Sequence, residues 1–201
     1  MITKMDEMFL ERHTTKLAFT VFPLDDYSKG KPIGRVDVSL GRRKEKPIRN
    51  LSSYYLFLDL PGDTYTVQVR SDYYFDEETE VPFHNLEPKN PVVNITLMPK
   101  PSYPFPPGAT LIRGTVYDSR GKAVSGAKVR VKEKGVENKT TEKGEFVLYF
   151  EPLTDDEIIW EDGKRFVKGD SDKIIHLEVV GVAEPIELGA EEGKTTSVII
   201  K

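Results

Sequence analysis

The sequence predicts an all-β chain of 201 residues folded as two tandem antiparallel β-sandwiches, each of the seven-stranded type. Three observations carry this. Apolar residues recur at period two rather than 3.6. A proline-rich run divides the chain near its middle, and the two halves repeat one pattern.

The expected organisation is a tail over 1–15, a first sandwich over 16–98, a proline-rich linker over 99–109 and a second sandwich over 110–201. The tail places Ile2, Met5, Met8 and Phe9 on one face of a short helix, although termini generally fray. In the first block Leu17, Phe19 and Val21 alternate with Ala18 and Thr20, Val36, Val38 and Leu40 with Asp37 and Ser39, and Tyr65, Val67 and Val69 with Thr66 and Gln68. Each reads as a strand with one wet face. Val93, Ile95 and Leu97 close the block. The run PKPSYPFPPG then holds five of the chain's 14 prolines, and proline, lacking a donor N–H, favours extended geometry over sheet pairing.

The second block has strand patterns at 111–116, 127–131, 146–150, 174–180 and 197–200. RGTVYDSRGKAVSGAKVRV, residues 113–131, reads as a half-buried hairpin with Ala127, Val129 and Val131 inward and Lys128, Arg130 and Lys132 outward. Gly121 and Gly144 suit positive φ in turns, and Gly126 suits a bulge or a tight strand entry. GKPIGRVDV in the first block parallels GKAVSGAKVRV in the second, and NITLM parallels TSVII.

These residues carry a resemblance. The Asp-x-x-Gly-Lys turn, SGAKVRV and TTEKGEFVLYF (140–150) resemble the carboxypeptidase regulatory-like domain, a transthyretin-like sandwich of the broad immunoglobulin-like Greek-key class. LPGDTYTVQV (60–69) is similar to the later part of the same pattern. The match is strongest over 110–150. The resemblance implies a non-catalytic module that mediates binding or stiffens a larger architecture. The enzymatic branch of that fold hydrolyses hydroxyisourate, and its C-terminal Tyr-Arg-Gly motif is missing from TTSVIIK.

The second block departs from the pattern at 151–173. There Asp162-Gly163 joins two short apolar runs as a two-residue hairpin turn, with Glu161 opposite Lys164 and Trp160, the only tryptophan, opposite Arg165. Trp160, Asp162, Gly163 and Arg165 form a candidate recognition tip, because Trp and Arg dominate interface hot spots. The competing reading, the commoner one for a large aromatic, has Trp160 capping the core.

Other candidates are weaker. Tyr73 and Tyr74 could form a stacking platform for a glycan or peptide, against ordinary core or edge packing. Arg42, Arg43 and Lys44 could form an anion-binding loop, although charge runs usually just stay solvated. LTDDE and KGDSDK hold carboxylates that could bind calcium, without the spacing of a defined loop. His84 and Glu87 have the His-x-x-Glu spacing of the zinc carboxypeptidases with which the resembled module travels, and His176 is a distant third ligand; HNLE nevertheless reads as a turn between strands, so no metal and no cofactor is expected. Asn50, Asn94 and Asn138 begin Asn-x-Ser/Thr sequons.

Composition narrows the classes. The chain has no Cys, which removes disulfides, thiolate chemistry and Cys-based zinc sites. Its formal net charge of −4, on 29 basic and 33 acidic residues, provides no field of one sign to recruit nucleic acid. Neither a phosphate-binding glycine loop nor a nucleophile elbow occurs. No stretch approaches a membrane span or a signal-peptide core, which makes the cytoplasm the default compartment and the exterior the alternative if a leader is removed. A single Gln beside many Lys and Glu leans towards a thermophile. The expectation is a non-enzymatic module acting through protein–protein contact in a larger assembly or at a cell surface. A carbohydrate-binding module is the alternative, and a zinc hydrolase fragment the remote one.

Overall fold

A computed structural model describes residues 14–41, 45–181 and 184–201, and among these all regular structure is strand except three single turns of 3-10 helix. The chain is all-β, as expected. Contacts divide it into two compact units. The first takes the described residues up to Pro23 together with Val38–Gln68 and Glu78–Ile95; the second takes Leu24–Asp37, Val69–Glu77 and Thr96–Lys201. Two segments from the first half therefore group with the second, as does all of 99–109.

The N-terminal half forms β1 (Leu17–Asp25), β2 (Val36–Leu40), β3 (Ile48–Arg49), β4 (Tyr55–Leu58), β5 (Thr64–Ser71), β6 (Glu77–Pro82) and β7 (Val92–Leu97), arranged as sheets β3-β4-β1-β7 and β2-β5-β6. Within the first unit Phe19 stacks on Phe57 at 5.0 Å and meets Tyr65 of the other sheet at 5.7 Å, so the two sheets share an aromatic core. β2 and β5 keep the expected alternation. β1 does not: Ala18, Phe19, Thr20 and Val21 are all buried while Leu17 is exposed. The register slips between Leu17 and Phe19, and with Ala18 and Thr20 covered as well as Phe19 and Val21 both faces of β1 are buried there, so it lacks the predicted wet face.

The C-terminal half adds β8 (Leu111–Val116), β9 (Lys128–Val131), β10 (Val136–Lys139), β11 (Glu145–Tyr149), β12 (Ile158–Glu161), β13 (Lys164–Val167), β14 (Ile174–Val179), β15 (Ile186–Gly189) and β16 (Thr195–Ile200). The sheets are β11-β8-β16 and β10-β9-β14-β15, with β12-β13 as a separate hairpin. One core joins both larger sheets: Ile112, Phe146, Leu148 and Ile200 from the first meet Val129, Val131, Ile175 and Leu177 from the second, each at most 1% exposed. That is a sandwich of seven strands plus the inserted hairpin among the described residues.

Two expectations are corrected here. Residues 113–131 are not one two-stranded hairpin, because β8 and β9 lie in different sheets; the pairing stops at the Asp118 turn, closed by the Tyr117–Ala123 bridge and by the Asp118 amide donating to the Lys122 carbonyl at 2.8 Å. The alternation on β9 is as read, but its inward face meets β8 across the core rather than along a ladder. Nor is the sandwich wholly antiparallel: β16 runs parallel to β8 over Thr195–Ile200. Gly144 takes φ +75°, and a Cβ there would stand 2.6 Å from the Val116 carbonyl oxygen, so this turn requires glycine sterically as well as conformationally.

Candidate functional site

The hairpin of β12 and β13 forms as its turn chemistry dictates. Asp162 and Gly163 take φ of 50° and 75°, the pair of positive values a type I′ turn needs. Glu161 faces Lys164 and Trp160 faces Arg165, as the spacing predicts. At its base Ile158 is 7% and Val167 0% exposed, which fixes the hairpin to the core. A second anchor lies along β13, where the Val167 amide donates to the Ala190 carbonyl at 2.9 Å and the Glu192 amide to the Arg165 carbonyl at 2.8 Å. Among the described residues β12 has no such neighbour on its outer side in the sheet order, which makes it the open edge.

Trp160 is 65% exposed. The alternative of a core cap is thereby overturned: the paired Ile158 and Val167 take the buried positions at the base, and Trp160, two residues further along the same face and paired with Arg165, lies beyond them. One face of the indole is covered by the Arg165 guanidinium, 5.3 Å from the ring centroid. Arg165 is held by both carboxylate oxygens of Glu192 and, at 3.5 Å, by Asp155. Lys173 pairs with Glu161 at 2.5 Å, and Lys164 and Lys194 both pair with Glu191. The Glu161 partner raises the Lys173 pKa, and the Lys194 partner lowers that of Glu191. At the entrance, the Thr154 amide and hydroxyl both donate to Glu157 Oε2, at 3.0 and 2.8 Å, holding its carboxylate below the ordinary range.

A second cluster, which sequence reasoning missed, centres on Asp25. Its carboxylate is fully buried. Oδ1 accepts the amides of Tyr27 at 2.9 Å and Ser28 at 3.4 Å; Oδ2 accepts the hydroxyls of Tyr74 at 3.0 Å and Tyr103 at 2.6 Å. Tyr74 in turn accepts the Ile33 amide at 3.0 Å. Burial, followed for Tyr103 by the bond to Asp25, pushes both phenols up. Beside this node Tyr27 makes edge contacts with Tyr103, Phe105 and Tyr149, and the Tyr149 hydroxyl donates to Asp26 at 2.5 Å. The run 99–109 supplies two of these rings, and Tyr103 is 5% exposed. The Asp-Asp-Tyr of the first turn was the only sequence signal, since a carboxylate preceding a turn commonly accepts amides two residues on. Every acceptor position used is satisfied within the protein, so this cluster is structural.

The remaining candidates do not assemble. Tyr74 is fully buried, so Tyr73 and Tyr74 form no paired platform; the half-buried Tyr73 ring lies against Gly34, where a Cβ would approach it to 2.7 Å. Arg42, Arg43 and Lys44 lie outside the described residues, as does most of the tail. His84 and Glu87 are exposed, on and just after a 3-10 turn over Phe83–Asn85. The two ring nitrogens of His176 face Glu133 and Glu187. Among the described residues no three His, Asp or Glu side chains are grouped to hold a metal ion, and this includes the acidic stretches around Asp156 and Asp172. Of the sequons, Asn138 is 2% exposed with its amide donated to the Pro99 and Val147 carbonyls, so it serves the fold. An open cleft of about 820 Å3 borders Tyr149, Met98 and Leu153, and Lys29 bridges Asp26 and Glu151 at its edge, both at 3.1 Å.

Fold and site together define an all-β module of sandwich type with an exposed aromatic hairpin. No family model matches the chain, and no curated protein matches it. Among solved structures it is similar to the Bacillus anthracis TIE protein, at 16% identity over 92% of this chain and 34% of that one, with a TM-score of 0.31. It is also similar to a streptococcal ancillary pilin, at 13% identity over 98% of this chain and 64% of that one (TM-score 0.29), and to a shaft pilin from Lactobacillus rhamnosus GG, at 10% identity over 92% of this chain and 97% of that one (TM-score 0.28). The chain thus spans about a third of the first and under two thirds of the second. Likenesses this distant carry no functional argument.

Proposed function

We propose that this protein is a non-catalytic module that works through protein–protein contact in a larger assembly or at a cell surface, with the β12–β13 hairpin as its contact element. The observation that carries this is the exposure of Trp160 at 65% on a rigidly anchored strand pair. An indole left in water forgoes on the order of 2–3 kcal/mol of burial, and lone tryptophans of this kind concentrate at interfaces. The resemblance to the carboxypeptidase regulatory-like domain supports the same reading. A glycan-binding role through Tyr73 and Tyr74 loses its support with the burial of Tyr74.

The test is Trp160→Ala in the full chain. Its melting temperature should stay nearly that of the parent, because no core contact is lost, while capture of partners from a native lysate should fall. A mutant that melts early, or one that captures partners undiminished, defeats the reading.

A further inference from the structure

We propose that the free face of the Trp160 ring, on the hairpin just described, receives a cationic side chain, Lys or Arg, of an extended segment of a partner protein. This rests on the reading of the hairpin as a contact element and adds the chemistry of what it contacts.

Three observations lead there. First, Arg165 covers one face of the indole at 5.3 Å, and among the described residues Trp160 is still 65% exposed. The other face is available to a flat or cationic group, both of which aromatic faces attract. Second, Arg165 adds no net positive charge to oppose another cation, because Glu192 already pairs with it through both carboxylate oxygens. Third, the surroundings are acidic. Residues 155–173 hold seven acidic and four basic side chains. Three of those four basic groups are engaged: Lys164 by Glu191, Arg165 by Glu192 and Lys173 by Glu161. Asp155, by contrast, is 95% exposed and only loosely paired, and Asp162 stands exposed at the turn.

A neutral sugar could stack on the ring and donate hydroxyls to the carboxylates but would leave their charge unpaired; an acidic segment would be repelled by them. A basic segment uses both. The open edge of β12 lies beside the ring, so an extended chain could add main-chain bonds to the contact.

Because Trp160 is the only tryptophan, its fluorescence reports on the tip alone. The full chain is titrated with short peptides of alternating Arg and Gly and of alternating Lys and Gly, with a Glu–Gly counterpart, with polyproline and with a mixed-linkage glucan. Saturable perturbation by the basic peptides, weakened by Asp155→Asn with Asp162→Asn and by salt that shortens screening to within about 10 Å, is the expected result. In parallel, anisotropy of a labelled basic peptide should show binding lost with Trp160→Ala. If the acidic, proline-rich or sugar probe binds and the basic peptides do not, or if the labelled peptide binds Trp160→Ala equally well, the cationic assignment is wrong. The contact reading survives in those cases provided that Trp160→Ala still lowers partner capture. If no probe perturbs Trp160 and capture is unaffected as well, both fall together.

Discussion

Asp25→Ala tests the buried carboxylate directly. In the parent, four donors converge on Asp25: two main-chain amides and the hydroxyls of Tyr74 and Tyr103. Alanine removes the acceptor and leaves these groups in a site with no water access. Stranding a buried donor costs about 1–3 kcal/mol, but the hydroxyls can turn and the desolvation of the carboxylate is recovered. Four donors lose their partner together, and with that offset the net loss is about 3–5 kcal/mol. For a chain of this size that corresponds to a melting point lower by roughly 6–20 °C. Asp25→Asn should lose less, since its carbonyl still accepts the amides and its NH2 can donate to the phenol oxygens. Urea denaturation followed by tyrosine exposure measures both variants. A loss below about 1 kcal/mol for alanine would show that these bonds are optional and that aromatic packing alone orders residues 99–109.

Further outcomes are expected elsewhere. Val129→Asp places a charge between the two sheets of the second sandwich and should cost more than about 4 kcal/mol, whereas Arg130→Ser removes only a surface pair with Glu178 and should leave the urea midpoint nearly unchanged; equal effects would mean the register of β9 is inverted. His176 has its pKa raised first by the Glu133 carboxylate, then by Glu187 and Asp170, so its stabilising contribution is complete below about 6.5 and fades as pH rises through the higher folded value. The stability gap between parent and His176→Gln, followed by melting, should therefore be widest near pH 6 and close at alkaline pH, and a gap that widens with pH would refute it. Glu133 carries the opposite sign: burial opposes its charge, but the amide bonds and His176 outweigh it and lower its pKa, so its contribution is lost only on acidification. We also propose that a fragment over 107–201 unfolds cooperatively by calorimetry, because the core from Ile112 to Ile200 lies entirely within it; a molten fragment would show that the segments 24–37 and 69–77 are needed.

The strands themselves were legible. β2, β5, β7, β8, β11 and β16 lie within two or three residues of where alternation placed them, because period two reports which side of a strand is buried without reference to any partner. The β12–β13 hairpin was legible to the residue, since an Asp-Gly pair with both φ positive is a local necessity. Alternation says nothing of which strand lies alongside, however. The two runs of residues 113–131 looked like neighbours in one ladder and instead face each other across a core, and the parallel pairing of β8 with β16 joins strands some eighty residues apart. Burial of aromatics was equally out of reach. Tyr73 and Tyr74 are adjacent in sequence, yet only Tyr74 is fully buried, because Asp25, forty-nine residues away, supplies a polar anchor for its hydroxyl inside the fold. Trp160 is exposed for the converse reason: Ile158 and Val167 already fill the core below the hairpin. Local chemistry therefore determined the elements and their turns, while tertiary packing decided which strands meet, which aromatics are covered, and that the one indole of this chain faces outward.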